Sequence, residues 1–144
     1  NDTIDAVELL TTLHLRFHGY GEGEWTDSAV RRYVRDAGEF ITHLHVLTRA
    51  DCTTRNKTKA ARLAATYDSL EARIEVLMEQ EELLKIRPDL DGAAVMQLLN
   101  LKPSATVGKA LDFLLELRLE RGPLGEEIAT KELLAWWQEF SRSQ

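Results

Sequence analysis

With 144 residues, 44% of them hydrophobic and 29% charged, the chain can bury one core or two small ones, and its composition is that of an ordinary folded chain rather than a disordered one. A formal net charge of −6 argues against a surface that binds nucleic acid indiscriminately, and the single cysteine, Cys52, excludes an intrachain disulfide and a cysteine metal cluster. No apolar run approaches the ~20 residues that span a bilayer and nothing resembles a signal peptide, so the chain reads as cytosolic; its start at Asn1 within an amphipathic run suggests a piece of something longer.

Apolar residues recur at helical spacing along nearly the whole chain, and no stretch alternates with the period of two that marks a strand. The first predicted helix covers about residues 4–17, with Ile4, Val7, Leu10, Leu13 and Phe17 on one face, and Gly19, Gly21 and Gly23 break it. Thr26 is placed to cap the second, with Trp25 before it packing on Val30 as a hydrophobic staple, and Gly38 stops it. A third covers about residues 39–50, with Phe40, Leu44 and Leu47 facing inward.

The longest helix is expected over about residues 55–86. Ala60, Leu63, Tyr67, Leu70, Ile74, Leu77 and Leu84 follow a heptad there, interrupted only by Glu81. Such a rod, ~48 Å long at ~1.5 Å per residue, acts as a spine for neighbouring helices or as a coiled-coil strand. Pro88 ends it by disfavouring helix at Arg87. Asp91 then caps a short helix carrying Val95, Leu98 and Leu99, a loop over residues 100–105 follows, and a helix covers about residues 106–121. The turn Gly122-Pro123-Leu124-Gly125 leads to a last helix with Ile128, Leu133, Trp136, Trp137 and Phe140. The reading is all-α, about seven helices with no fixed repeat, divided into a helical body (1–52), a long connecting helix (53–87) and a C-terminal helical module (88–144).

Charge is unevenly spread along this frame. Residues 1–25 carry one basic and five acidic groups, residues 26–62 eight and four, and residues 63–144 nine and fifteen. The only net-positive segment therefore contains Arg31, Arg32 and Arg35, then Arg49, then Arg55, Lys57 and Lys59. A polyanion would leave such a footprint. Arg31 and Arg35 share a helix face with Arg32 beside them and Tyr33 nearby, an arrangement suited either to phosphates and a stacked base or to a solvated face. Arg55, Lys57 and Lys59 sit at the start of the longest helix, where the helix dipole disfavours cations by a few tenths of a kcal/mol each. They are either holding an anion or forming a plain solvated turn.

Chemistry of other kinds is sparse. His14 and His18 are four apart on a helix and His43 and His45 flank Leu44, but zinc needs three or four ligands and no further motif supplies them. Asp89 and Asp91 sit at a proline-led helix start and read as capping residues. Cys52 has no histidine near it in sequence and reads as buried packing. No phosphate loop or nucleophile elbow is present.

Three blocks, Leu13-His14-Leu15-Arg16-Phe17-His18-Gly19-Tyr20, Trp25 through Gly38, and Leu47 through Asn56, together resemble the C-terminal half of actinobacterial CCA-adding tRNA nucleotidyltransferases. Ile86 through Gly92 and Pro103 through Gly108 resemble the C-terminal module of the same enzymes, which bacterial poly(A) polymerases share. The similarity spans roughly residues 7–137. In the family's short loop, Gly-x-x-Pro-Gly-Pro-x-Val-Gly, Asn100 here replaces the first glycine and Ser104-Ala105 replace Gly-Pro, while Val107-Gly108 remains.

The resemblance implies a longer enzyme. Its N-terminal head would hold paired aspartates and Mg2+ and add nucleotides to the tRNA 3′ end, with an HD-type region before the helices. The present chain would then be non-catalytic, with no metal site of its own, and would hold tRNA through Arg31, Arg32, Arg35, Arg49, Arg55, Lys57 and Lys59. The competing reading, from the residues alone, is a helical scaffold for a protein partner or a second copy, using the heptad from Ala60 to Leu84 and the Trp136-Trp137 pair.

Overall fold

The computed structural model describes residues 2–20, 25–51, 55–82 and 86–144, apart from the side chains of residues 18–20. Among these residues the fold is all-α: seven α-helices and one 3₁₀ turn, with no strand. The helices are α1 (Asp2–Tyr20), α2 (Asp27–Ala37), α3 (Ile41–Asp51), α4 (Lys57–Glu81), α5 (Gly92–Leu99), α6 (Ala105–Arg121) and α7 (Glu126–Arg142), with the 3₁₀ turn at Gly38–Phe40. No helix is long and apolar enough to cross a membrane. Readings that involve Cys52, Leu84 or the side chain of His18 lie outside the described residues.

The chain divides into two compact units, Asn1–Leu84 and Lys85–Gln144, with α4 inside the first. Its core is built where the apolar faces of four helices meet: Leu13 and Phe17 of α1, Val30, Tyr33, Val34 and Ala37 of α2, Ile41 and Leu44 of α3, and Tyr67, Leu70, Ile74 and Leu77 of α4. The rings of Phe17 and Tyr67 meet edge to face, 4.9 Å between centroids. The inward face predicted for the first helix therefore holds only in its C-terminal half, since Ile4 and Val7 are 62% and 58% exposed. Leu47, expected inside, is also exposed, and Thr48 takes the buried position, its hydroxyl donating to the Leu44 carbonyl oxygen at 2.8 Å.

The ends of these helices follow from single residues. Thr26 caps α2 by accepting from the Ala29 N–H at 3.2 Å. Gly38 stops the helix with a φ of 51°, a region that side chains with a Cβ disfavour. Helix α4 starts later than the spacing predicts, because Asn56 caps it: its side chain accepts from the Lys59 N–H at 3.1 Å. It also ends earlier, at Glu81, where Glu82 turns left-handed with a φ of 49°. The predicted spine of 32 residues is thus 25 residues long, and its heptad face from Tyr67 to Leu77 is buried within its own unit.

The second unit is a three-helix module around Leu90, Val95, Leu99, Val107, Ala110, Leu114, Ala129 and Leu133, flanked by Phe113, Trp136 and Trp137. Asp91 caps α5 as expected, accepting from the Ala94 N–H at 2.8 Å. Asp89 does something else: its carboxylate accepts from the Leu124 N–H at 3.3 Å and so ties the start of the unit to the turn between α6 and α7. Asn100 ends α5 in the left-handed region with a φ of 53°. Asparagine is the residue that adopts this backbone most readily after glycine, so its presence preserves the helix end.

Candidate nucleic-acid interface

Helix α2 carries three arginines over five positions, and the structure sends them in different directions. Arg31 faces inward and is 6% exposed. Its Nε donates to one carboxylate oxygen of Glu81 at 2.8 Å and its Nη2 to the other at 3.1 Å, a bidentate pair whose two side chains are 7% and 10% exposed. The interruption in the α4 heptad is therefore the partner of a buried cation. Taking either group away would leave the other charged and dehydrated, which costs about 3–5 kcal/mol. The expected phosphate contact at Arg31 gives way to a structural role, because its guanidinium is already engaged in the interior by Glu81.

On neighbouring surface positions of α2, Arg35 is exposed and Arg32 half-buried. With Arg16 from α1, they line an open cavity of about 520 Å³ to which, among the described residues, Trp25, Ala29 and Asp36 also contribute. Arg16 donates to Asp36 at 2.8 Å across the α1–α2 packing, with both side chains substantially exposed. Among the described residues the lining holds three guanidiniums and one carboxylate. Trp25 stands at its edge with its ring 5.2 Å from that of Tyr33 at an interplanar angle of 66°. That contact anchors the indole on a fully buried residue. The ring contact of Trp25 is thus with Tyr33, three residues beyond the Val30 expected for a staple.

The other expected contacts are dispersed. The guanidinium of Arg49 donates to Asp68 at 2.7 Å and also to Glu71, and it lies 4.7 Å from the centre of the Tyr67 ring. Those two carboxylates raise its pKa above an already high value. Arg49 is therefore already paired with two carboxylates and ties α3 to α4. Arg55, Lys57 and Lys59 all stand exposed at the start of α4. Arg55 precedes the cap, and Lys57 and Lys59 occupy the first turn, which holds no acidic residue. Asn56 already satisfies one N–H there, so part of the supposed demand for an anion is met by the chain itself.

Polar groups buried around α3 serve the fold. His45 sits on α3 with its Nδ1 3.3 Å from Glu71, and its ring meets Tyr67 edge-on at 5.9 Å. Burial pushes its pKa below 6.5, with Glu71 opposing and Arg49 adding to the shift. Burial pushes the Tyr33 phenol up to about 12 and raises Tyr67 as well, and the Thr48 hydroxyl between them eases both shifts. His14 lies 2.8 Å from Asp51, a pairing that sequence distance concealed. No group of three or more potential metal ligands forms among the described residues.

The residues that sequence reasoning missed are Arg16, Trp25, Asn56 and Glu81. Glu81 had a legible signal, as an acid at a core heptad position calls for a buried cation. Asn56 had one too, since asparagine just before a helix is a preferred cap. Arg16 carried none, because only the packing of α1 on α2 brings it beside Arg32 and Arg35. No protein-family model matches this chain, and no match was found among the curated proteins or the solved structures.

Proposed function

We propose that this chain is the tRNA-holding portion of a cytoplasmic CCA-adding tRNA nucleotidyltransferase. The observation that carries the reading is the cavity on α1 and α2. Its Arg16 belongs to the first of the resembling sequence blocks, and its Trp25, Arg32 and Arg35 belong to the second. Two stretches separated in sequence thus combine into one basic, aromatic-edged surface on a chain whose net charge is −6. Guanidiniums suit phosphate because they are always charged and present paired donors. Arg55, Lys57 and Lys59 extend the exposed positive charge along the chain. In this reading nucleotidyl transfer, with Mg2+ and its aspartates, belongs to a head outside the present sequence, and the helices here position the RNA. The resemblance of the C-terminal module extends to bacterial poly(A) polymerases, for which the role of these helices would be the same.

The test is binding of the 144-residue chain to tRNA, followed by fluorescence anisotropy from 50 to 200 mM salt. Binding is expected to weaken by about 0.9 log units per log unit of salt for each duplex phosphate contacted. Replacing Arg32 and Arg35 by glutamine should make that slope shallower. Absent binding, or binding indifferent to salt, overturns the reading.

A further inference from the structure

The cavity between α1 and α2 has features that a site for duplex backbone does not need. A phosphate track requires cations along a groove, whereas here three arginines line one recess together with an indole. We propose that this recess takes a single unstacked nucleotide of single-stranded RNA, its base stacked on Trp25 and its phosphate held by Arg32 and Arg35. The proposal rests on the RNA reading above and narrows it to unpaired RNA.

The volume is right for such a ligand, since pockets that enclose small molecules run from about 300 to 1,000 Å³ and this one is about 520 Å³. The charge is also right. Arg35 is exposed and Arg32 half-buried, three positions apart on one helix and therefore neighbours on its surface. Their guanidiniums can share one phosphate. Arg16 is held by Asp36, which leaves the carboxylate at the wall as an acceptor for ribose hydroxyls or a base amino group. A 2′-hydroxyl is a donor that DNA lacks. The indole supplies the remaining element. Base stacking on an aromatic side chain contributes about 1–3 kcal/mol per base and is available only to a base already out of a helix. Trp25 is held against buried Tyr33 before any ligand arrives, so little side-chain freedom is left to lose on binding.

The experiment uses the indole itself as the probe. Trp136 and Trp137 are replaced by phenylalanine, leaving Trp25 as the sole tryptophan, and the chain is titrated with hexaadenylate, adenosine 5′-monophosphate, inorganic phosphate and a fully paired RNA duplex. Saturable quenching of Trp25 is expected with hexaadenylate and more weakly with the mononucleotide, and none with phosphate or duplex. Arg32→Gln with Arg35→Gln should lower hexaadenylate affinity tenfold or more. Trp25→Leu should lower it at least fivefold, and Trp25→Phe should restore most of the loss. Circular dichroism and thermal melting establish that each variant is folded; Arg32 and Arg35 lie outside the core, so their variant carries the test even if Trp25→Leu does not fold.

Phosphate quenching Trp25 as strongly as the mononucleotide would reduce the site to an anion pocket and overturn the proposal. So would wild-type hexaadenylate affinity in the arginine variant. If tRNA still binds in that case, the RNA reading survives and only the pocket assignment fails. Quenching by hexaadenylate without tRNA binding would uphold the pocket and remove the tRNA reading.

Discussion

The two units solve the same packing problem with different interiors. In the module of α5 to α7 the buried cluster is aliphatic and flanked by aromatic residues, and one cation, Arg118, is as buried as Arg31. In the unit of α1 to α4 the interior also encloses a bidentate Arg31–Glu81 pair, two tyrosines, Thr48 and a histidine at its edge. Aliphatic cores gain from any good fit and tolerate repacking. A buried charge contributes little net stability and instead penalises every arrangement in which it is unpaired. The first unit is the one whose buried cation has its bidentate carboxylate partner in view, and it is the one that carries the arginine-lined recess.

The sharpest way to break this contrast is to leave one charge of the buried pair alone. Glu81→Ala should destabilise the first unit by about 3–5 kcal/mol, read as lost hydrogen-exchange protection in α2 and α4. Converting both members to apolar residues, Arg31→Met with Glu81→Leu, should recover most of that loss in the same measurement. Recovery would identify the cost as that of an unpaired charge.

The counterpart in the second unit is Leu133→Ala. Leu133 is fully buried, and its truncation should cost about 2–4 kcal/mol through transfer and cavity terms, seen as a lower urea midpoint for the α5–α7 amides. Here Leu133→Met should be nearly neutral, a tolerance the polar pair does not share.

Titration separates the units next. Tyr33 is ionised near pH 10 in the unfolded chain but near 12 in the fold, so the native state holds its proton where the unfolded state has lost it. Its contribution is complete below pH 10 and falls as pH rises toward 12, by on the order of 2 kcal/mol. Tyr33→Phe should move the alkaline unfolding midpoint of the first unit upward, followed by circular dichroism between pH 8 and 12. His45 works at the other end. Its lowered pKa means that stability is complete above 6.5 and declines as pH falls below that value toward the folded pKa. The smallest effect belongs to the start of α4. Lys57→Glu with Lys59→Glu should raise stability by a few tenths of a kcal/mol per site by matching the helix dipole, while weakening tRNA binding in the anisotropy assay.

Much of the architecture was legible because helices announce their faces and ends. Thr26, Gly38, Asp91 and Gly122 mark boundaries by backbone chemistry that acts within a few residues. The site was less legible, since it depends on which way each helix is turned. Arg31 and Arg35, four apart, looked like one face with Arg32 as a neighbour, yet the packed structure pairs Arg32 with Arg35 and turns Arg31 inward. Which arginine enters the core was decided 50 residues away, at Glu81. Exposure of Ile4, Val7 and Leu47 was missed for a related reason: periodicity shows that a face exists but not how far along the helix a neighbour covers it.

The Arg31–Glu81 pair also works as a rotational pin. Successive helical residues advance by about 100°, so fixing the azimuth of residue 31 also fixes that of residue 35, about 40° away, and that of residue 32, about 100° away. A fork held at both oxygens resists a twist of the helix about its own axis, which a single-point contact would permit. The guanidinium that never meets solvent thereby sets the aim of the two that do. Arg31→Lys keeps the charge but removes the fork, and its signature would be a loosened bearing of Arg32 and Arg35 with the hydrophobic core still intact.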